Sequence, residues 1–144
     1  MSDQYSDEHP IANTPDIIGA TKVAQFEVYR DGQKFLYTRF AAGYVRKNYH
    51  AEIIHGFVKE FELPFDIGFI AKTGRAHETI YPYGEADGIK WEAVGMGIAF
   101  IDDGYVTLQE KSADYGMTPN TKHAQETNEL LQAHDIDIII EVEG

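Results

Sequence analysis

Residues 21–40 hold two alternating runs around Arg30-Asp31-Gly32-Gln33, and this stretch narrows the choice of fold most. Asp-Gly between alternating runs is the strongest short hairpin signal, because both turn residues must accept positive φ. Counting outward from the turn pairs Val28 with Phe35, Phe26 with Tyr37 and Ala24 with Arg39 on one face. The other face carries Gln25, Glu27 and Thr38, with Leu36 as its main apolar exception. Arg39 ends an otherwise apolar face, where a charge calls for a partner.

Residues 43–61 read as a helix. Ile54, Phe57, Val58 and Phe61 recur at helical spacing, His50 and Ile53 extend the stripe, and Pro64 stops it. Residues 65–71 are a short apolar run of β-formers, read as a buried strand, after which Lys72-Thr73-Gly74-Arg75 turns the chain. Residues 76–88 show no firm periodicity, with room for a strand within 77–83. Residues 89–101 and 105–109 bracket Asp102-Asp103-Gly104, a second hairpin signal, of three-residue type. Thr118-Pro119 starts a second helix that runs to about His134, with the proline in its first turn. Residues 135–143 close the chain as a strand, with Ile136, Ile138 and Ile140 on one face and Ile139 on the other. Residues 1–16, with Asp3, Asp7, Glu8, Pro10 and Pro15, read as a flexible acidic tail ahead of a domain at 17–144. The order describes a single α+β domain, a mixed sheet of about six strands with two main helices packed on it.

Composition narrows the function. The 144 residues include no cysteine, which removes disulfides, zinc–thiolate sites, iron–sulfur clusters and cysteine nucleophiles together. The net charge of -12 disfavours nucleic-acid phosphates and anionic membranes as partners. No apolar run approaches the roughly 20 residues of a membrane span, and the N-terminus lacks the basic and apolar regions of an export signal. A cytoplasmic protein, monomeric, is the expectation. An anion site on such a chain must rely on close, directed donors.

The six histidines yield no metal motif. His50 and His55 stand five residues apart, and at about 100° per residue their rings diverge on a helix. His50-Ala51-Glu52 imitates the start of a zinc deaminase motif that also needs a cysteine pair. His77-Glu78-Thr79 resembles half of a two-histidine phosphoesterase signature, and His123-Ala124-Gln125 does not supply the other half. Gly95-Met96-Gly97 lacks the third glycine of a dinucleotide fingerprint. His50, early in the first helix, is either a neutral base poised by the helix dipole or a core histidine bonded to a carbonyl. Arg75, after a turn that follows a buried strand, is either an anion ligand or a solvated loop residue. Gly95 and Gly97, inside a strand, mark either a bulge or close backbone approach.

Gly43-Tyr44 followed by Tyr49-His50-Ala51-Glu52-Ile53 resembles the helix segment of the Janus/Ocnus family of phosphohistidine phosphatases. The likeness continues in order with Gly74-Arg75 and His77, with Val94-Gly95-Met96-Gly97-Ile98-Ala99-Phe100, and with His123-Ala124. It covers residues 22–143, with an insertion at about 102–121. The resemblance implies a mixed sheet with helices on both sides. It also implies a phosphatase that uses no metal or other cofactor and acts on a phosphohistidine-containing protein or a small phosphoramidate. His50 is then the general base that activates a water. Arg75 holds the phosphoryl group, and the backbone around Gly97 to Ala99 donates to its oxygens. Against the family pattern, Gln25 stands at a phosphate-contacting strand lysine and Ala42 at an arginine. Gly97 stands at a serine, and Lys72 and Thr73 at two turn glycines. Lys22, Arg39 and Lys72 are the substitutes at hand. The alternatives are a catalytically inactive module that binds a phosphorylated ligand, or an acidic interaction protein that uses the 102–121 segment.

Overall fold

A computed structural model describes residues 5, 8–41, 50–72, 75–112 and 115–143, with backbone alone for 69–72 and 75–78. The hairpin sets the frame. β1 (Gly19–Arg30) and β2 (Gln33–Phe40) pair in the register counted from the turn, Val28 opposite Phe35, Phe26 opposite Tyr37 and Ala24 opposite Arg39. Asp31 and Gly32 take φ of 50° and 76°, as a tight hairpin requires. α1 (His50–Phe61) follows, and the part of the predicted helix before His50 lies outside the described residues. β3 (Ile67–Lys72) and β4 (Arg75–Ile80) make a separate two-stranded hairpin.

β5 (Tyr83–Ala86) turns on Asp87-Gly88 into β6 (Ile89–Asp102), and β6 turns into β7 (Tyr105–Gln109). That second turn holds two residues, not three, because Asp102 pairs with Tyr105 and leaves Asp103 and Gly104 at φ of 47° and 84°. α2 (Thr121–Ala133) starts later than Thr118-Pro119 suggests. Asn120 is its N-cap, accepting the His123 N–H at 2.9 Å, so Pro119 lies outside the helix. β8 (Ile139–Val142) ends the chain, with Ile140 buried and Ile139 exposed as the alternation requires.

The main sheet has six strands in the order β2-β1-β6-β7-β8, with β5 beside the first part of β6. Its pairs are antiparallel except β7 with β8, which α2 joins by a crossover. The domain is therefore α+β with a mixed sheet. Ala24, Phe26, Val28, Phe35, Tyr37 and Met96 face α1 and pack on Ile53, Ile54 and Phe57. Val23, Phe40, Ala99, Ile101, Val106 and Leu108 face the other way and pack on Ala124 and Leu131 of α2.

A bulge lets β6 serve both cores. Gln25 pairs with Gly95 but Phe26 with Ala93, so Val94 is the extra residue. The inserted residue exchanges the faces. Trp91 and Ala93 point to α1 before it, and Met96 does after it. A glycine is needed here, since a Cβ on Gly95 would lie 2.2 Å from Gln25 Oε1.

One expected boundary changes. The acidic segment is not a free tail from residue 8 on, because Ile11 and Ala12 are buried in the α2-side core. It also closes the β2 edge. Tyr5 Oη accepts from Leu36 N–H at 3.0 Å, the Ile11 carbonyl from Thr38 N–H at 2.8 Å, and Asn13 Oδ1 from Phe40 N–H at 3.0 Å. Within the 102–121 segment, β7 lies inside the sheet with Val106 and Leu108 fully buried.

Candidate functional site

His50 opens α1, and its ring turns down onto β6. It is 3% exposed, with Nε2 3.0 Å from the Gly97 carbonyl oxygen. A carbonyl only accepts, so Nε2 carries the proton and donates it, and in the neutral ring Nδ1 holds the lone pair. The helix thus supplies the histidine and the strand selects its tautomer, a division of roles common where a histidine acts as a base.

Lys22 joins this side of the sheet. It pairs with Ile98, the residue after Gly97, and strand alternation puts it on the α1 face with Ala24 and Phe26. Gln25, which the family pattern aligned with the phosphate-contacting lysine, points the other way. Its Oε1 accepts from Asn120 N–H at 2.7 Å and its Nε2 donates to the Asn120 carbonyl at 3.0 Å, both at the start of α2. Because the bulge is carried by β6, β1 keeps its alternation, and Lys22, not Gln25, shares the face of His50.

Arg39 is elsewhere. α1 crosses the sheet from β6, where His50 meets Gly97, to β2, where Arg39 meets Glu60. Ten residues of helix separate His50 from Glu60, a rise of about 15 Å. The Arg39 guanidinium is fully buried and donates to both Glu60 oxygens at 2.8 and 2.9 Å and to the carbonyls of Thr38 at 3.0 Å and Ile11 at 3.3 Å. It has the partner its place on an apolar face called for, and that partner holds it away from His50. Ala99 stands between Thr21 of β1 and Leu108 of β7, and Gly97 opposite Val23, within the ladder of the sheet.

Arg75 pairs with Lys72 where β3 turns into β4, and α1 packs against β4. The side chains of Lys72, Arg75 and His77, together with Ala42, Gly43-Tyr44, Tyr49, Thr73 and Gly74, lie outside what is described. Among the described residues, no group of three or more His, Cys, Asp or Glu side chains comes together as a metal site. No helix among them is long and apolar enough to cross a membrane.

His123 belongs to a different centre, on the opposite face of the sheet from His50. It is 2% exposed, and its Nε2–H donates to the Phe26 carbonyl at 3.0 Å. Nδ1 then accepts from Gln25 Nε2 at 3.3 Å and from the Thr127 hydroxyl at 3.2 Å. Burial lowers its pKa below the usual histidine value, with the Phe26 carbonyl opposing the shift. Every polar atom of the imidazole is spent on holding β1 to α2. The sequence marked His123 only through the His123-Ala124 likeness, and nothing local in it showed Gln25 as a partner.

Compared with known proteins, the chain matches no protein-family model, and no curated protein matches it either.

Proposed function

We propose that this chain is a metal-independent phosphatase that hydrolyses the P–N bond of phosphohistidine, in a protein or a small phosphoramidate, with His50 as general base. The observation that carries the reading is the His50–Gly97 bond, which fixes the ring with Nε2 as the donor on the face that Lys22 shares. In the step, Nδ1 takes a proton from water as its oxygen attacks phosphorus. The P–N bond breaks, the leaving imidazole nitrogen is protonated, and histidine and inorganic phosphate are the products. The P–N bond is labile, so a positioned base and directed donors are adequate to the chemistry. Lys22 supplies positive charge to the phosphoryl oxygens, and Arg75 is the second cation the reading requires.

The test is phosphorus NMR of a phosphorylated histidine peptide with the protein in EDTA. Wild type is expected to convert the phosphoramidate signal to inorganic phosphate. His50→Ala should lower kcat by about 10²–10⁴-fold, and Lys22→Ala should lower kcat/KM by about tenfold. Persistence of the phosphoramidate signal with wild type would overturn the reading. The burial of His50 to 3% favours a second one, a module that binds a phosphorylated ligand without hydrolysis and keeps His50 as a structural residue. Its mark is a broadened phosphoramidate signal that sharpens on Lys22→Ala and not on His50→Ala.

A further inference from the structure

α1 runs from β6 to β2 over one half of its sheet face, and among the described residues the half toward β8 keeps large apolar side chains exposed. Strand alternation and pairing lay out what is there. Asp102, Tyr105 and Ile139 form one row across β6, β7 and β8, and Phe100, Thr107 and Glu141 form the next. Phe100, Tyr105 and Ile139 are 42, 43 and 48% exposed. Single exposed apolar side chains are ordinary, whereas three on adjacent strands of one face make a patch. Carboxylates are held over it, since Tyr105 Oη donates to Glu141 and Gln109 Nε2 donates to Glu143 at 3.4 Å. With Asp102, they make the patch apolar and anionic. The same face continues through Ile98 to Lys22, and so reaches the His50 site.

We infer that this half-face docks a cationic, apolar segment of a partner polypeptide and so presents that partner's phosphorylated residue to His50. The inference rests on the proposed phosphatase reading for what is presented, and on the face itself for what binds. Lys and Arg fit because their aliphatic stems cover apolar surface while their heads reach carboxylates. A second copy of this chain fits poorly, since a twofold contact would set these carboxylates against their own images on a chain of net charge -12. The segment lies across the face and does not extend the sheet. The outward N–H and C=O of Ile140 on β8 are already bonded to the Asn128 side chain, at 2.8 and 2.6 Å.

The test uses the full chain and a fluorescein-labelled, unphosphorylated peptide with a central His flanked by Lys and Leu, beside a counterpart with Glu for Lys. Anisotropy at physiological ionic strength is expected to show binding of the Lys peptide alone. E141K/E143K should weaken it at least about tenfold, and F100S/I139S should do the same. E85K/E129K, an equal change of charge at exposed sites elsewhere, should have much less effect. Amide NMR shifts should fall on β6, β7 and β8, and circular dichroism confirms that each variant folds. Equal losses from both charge reversals, or no loss from F100S/I139S, would overturn the docking face. Hydrolysis of a small phosphoramidate by wild type is followed separately. Without it the phosphatase reading fails while the binding result stands; with it, and no peptide binding, the docking inference alone fails.

Discussion

Gln25 sits fully buried at the middle of β1, where its amide oxygen and nitrogen are both engaged with Asn120 and the nitrogen also with His123. A buried amide is tolerated only when so satisfied, because an unpaired group costs about 1–3 kcal/mol. Nothing local in the sequence shows this. Gln25 stands 95 positions from Asn120, and on the hairpin it reads simply as a member of the polar face. Arg39 was legible as a charge needing a partner, but the partner, Glu60, is supplied by a helix that could have been oriented either way. His123 carries a residue-scale prediction. Its folded pKa lies below the 6.5 of the unfolded chain, so the unfolded state binds more protons in between. The stability it contributes is complete above that value and is lost as pH falls through the folded pKa. Urea denaturation from about pH 7.5 to about pH 5 should show a falling midpoint, with a shallower fall in His123→Gln. Parallel slopes in the two proteins would assign the effect to other groups.

Turns and edges decide the elements. Three Asp-Gly pairs, at Asp31, Asp87 and Asp103, take the same left-handed conformation and close three hairpins. Two are legible at once; Asp87-Gly88 escapes a reading by periodicity because β5 is four residues long and mostly exposed. Its signal was the dipeptide itself. The long strand β6 defeats simple alternation for a different reason, the extra residue at Val94, although Gly95 and Gly97 were the clue to it. At the far edge, Asn128 imitates a neighbouring strand by bonding both backbone groups of Ile140. Asn128→Ala should cost about 1–3 kcal/mol and leave β8 open for pairing with another chain. Denaturant midpoints and light scattering on standing measure the two effects, and an unchanged midpoint would remove Asn128 from the account.

At the scale of the molecule, the N-terminal segment is the least expected part. Composition reads it as a solvated tail, yet Ile11 is 1% exposed and three N–H groups along β2 are bonded to Tyr5, Ile11 and Asn13. Deleting residues 1–14 should therefore lower the Tm and bring concentration-dependent association through the bared edge, read by calorimetry and sedimentation. A dispensable tail would leave both unchanged. The site divides in the same way. Periodicity and helix stops place His50 early on an amphipathic helix, and alternation puts Lys22 and Gln25 on opposite faces of β1. Which of those faces meets α1 is not a local property: the face of Lys22 does, and Gln25 turns to α2. What the sequence determined by itself is the first hairpin with its register, the presence of two helices and the α+β class, because each follows from turn chemistry and short-range periodicity. The tertiary structure alone decided that His50 meets Gly97 on the face Lys22 shares, that Arg39 is bound to Glu60, and that Phe100, Tyr105 and Ile139 stay exposed on one sheet face. Those outcomes follow from where α1 crosses the sheet, and that crossing is set by packing among residues far apart in the chain.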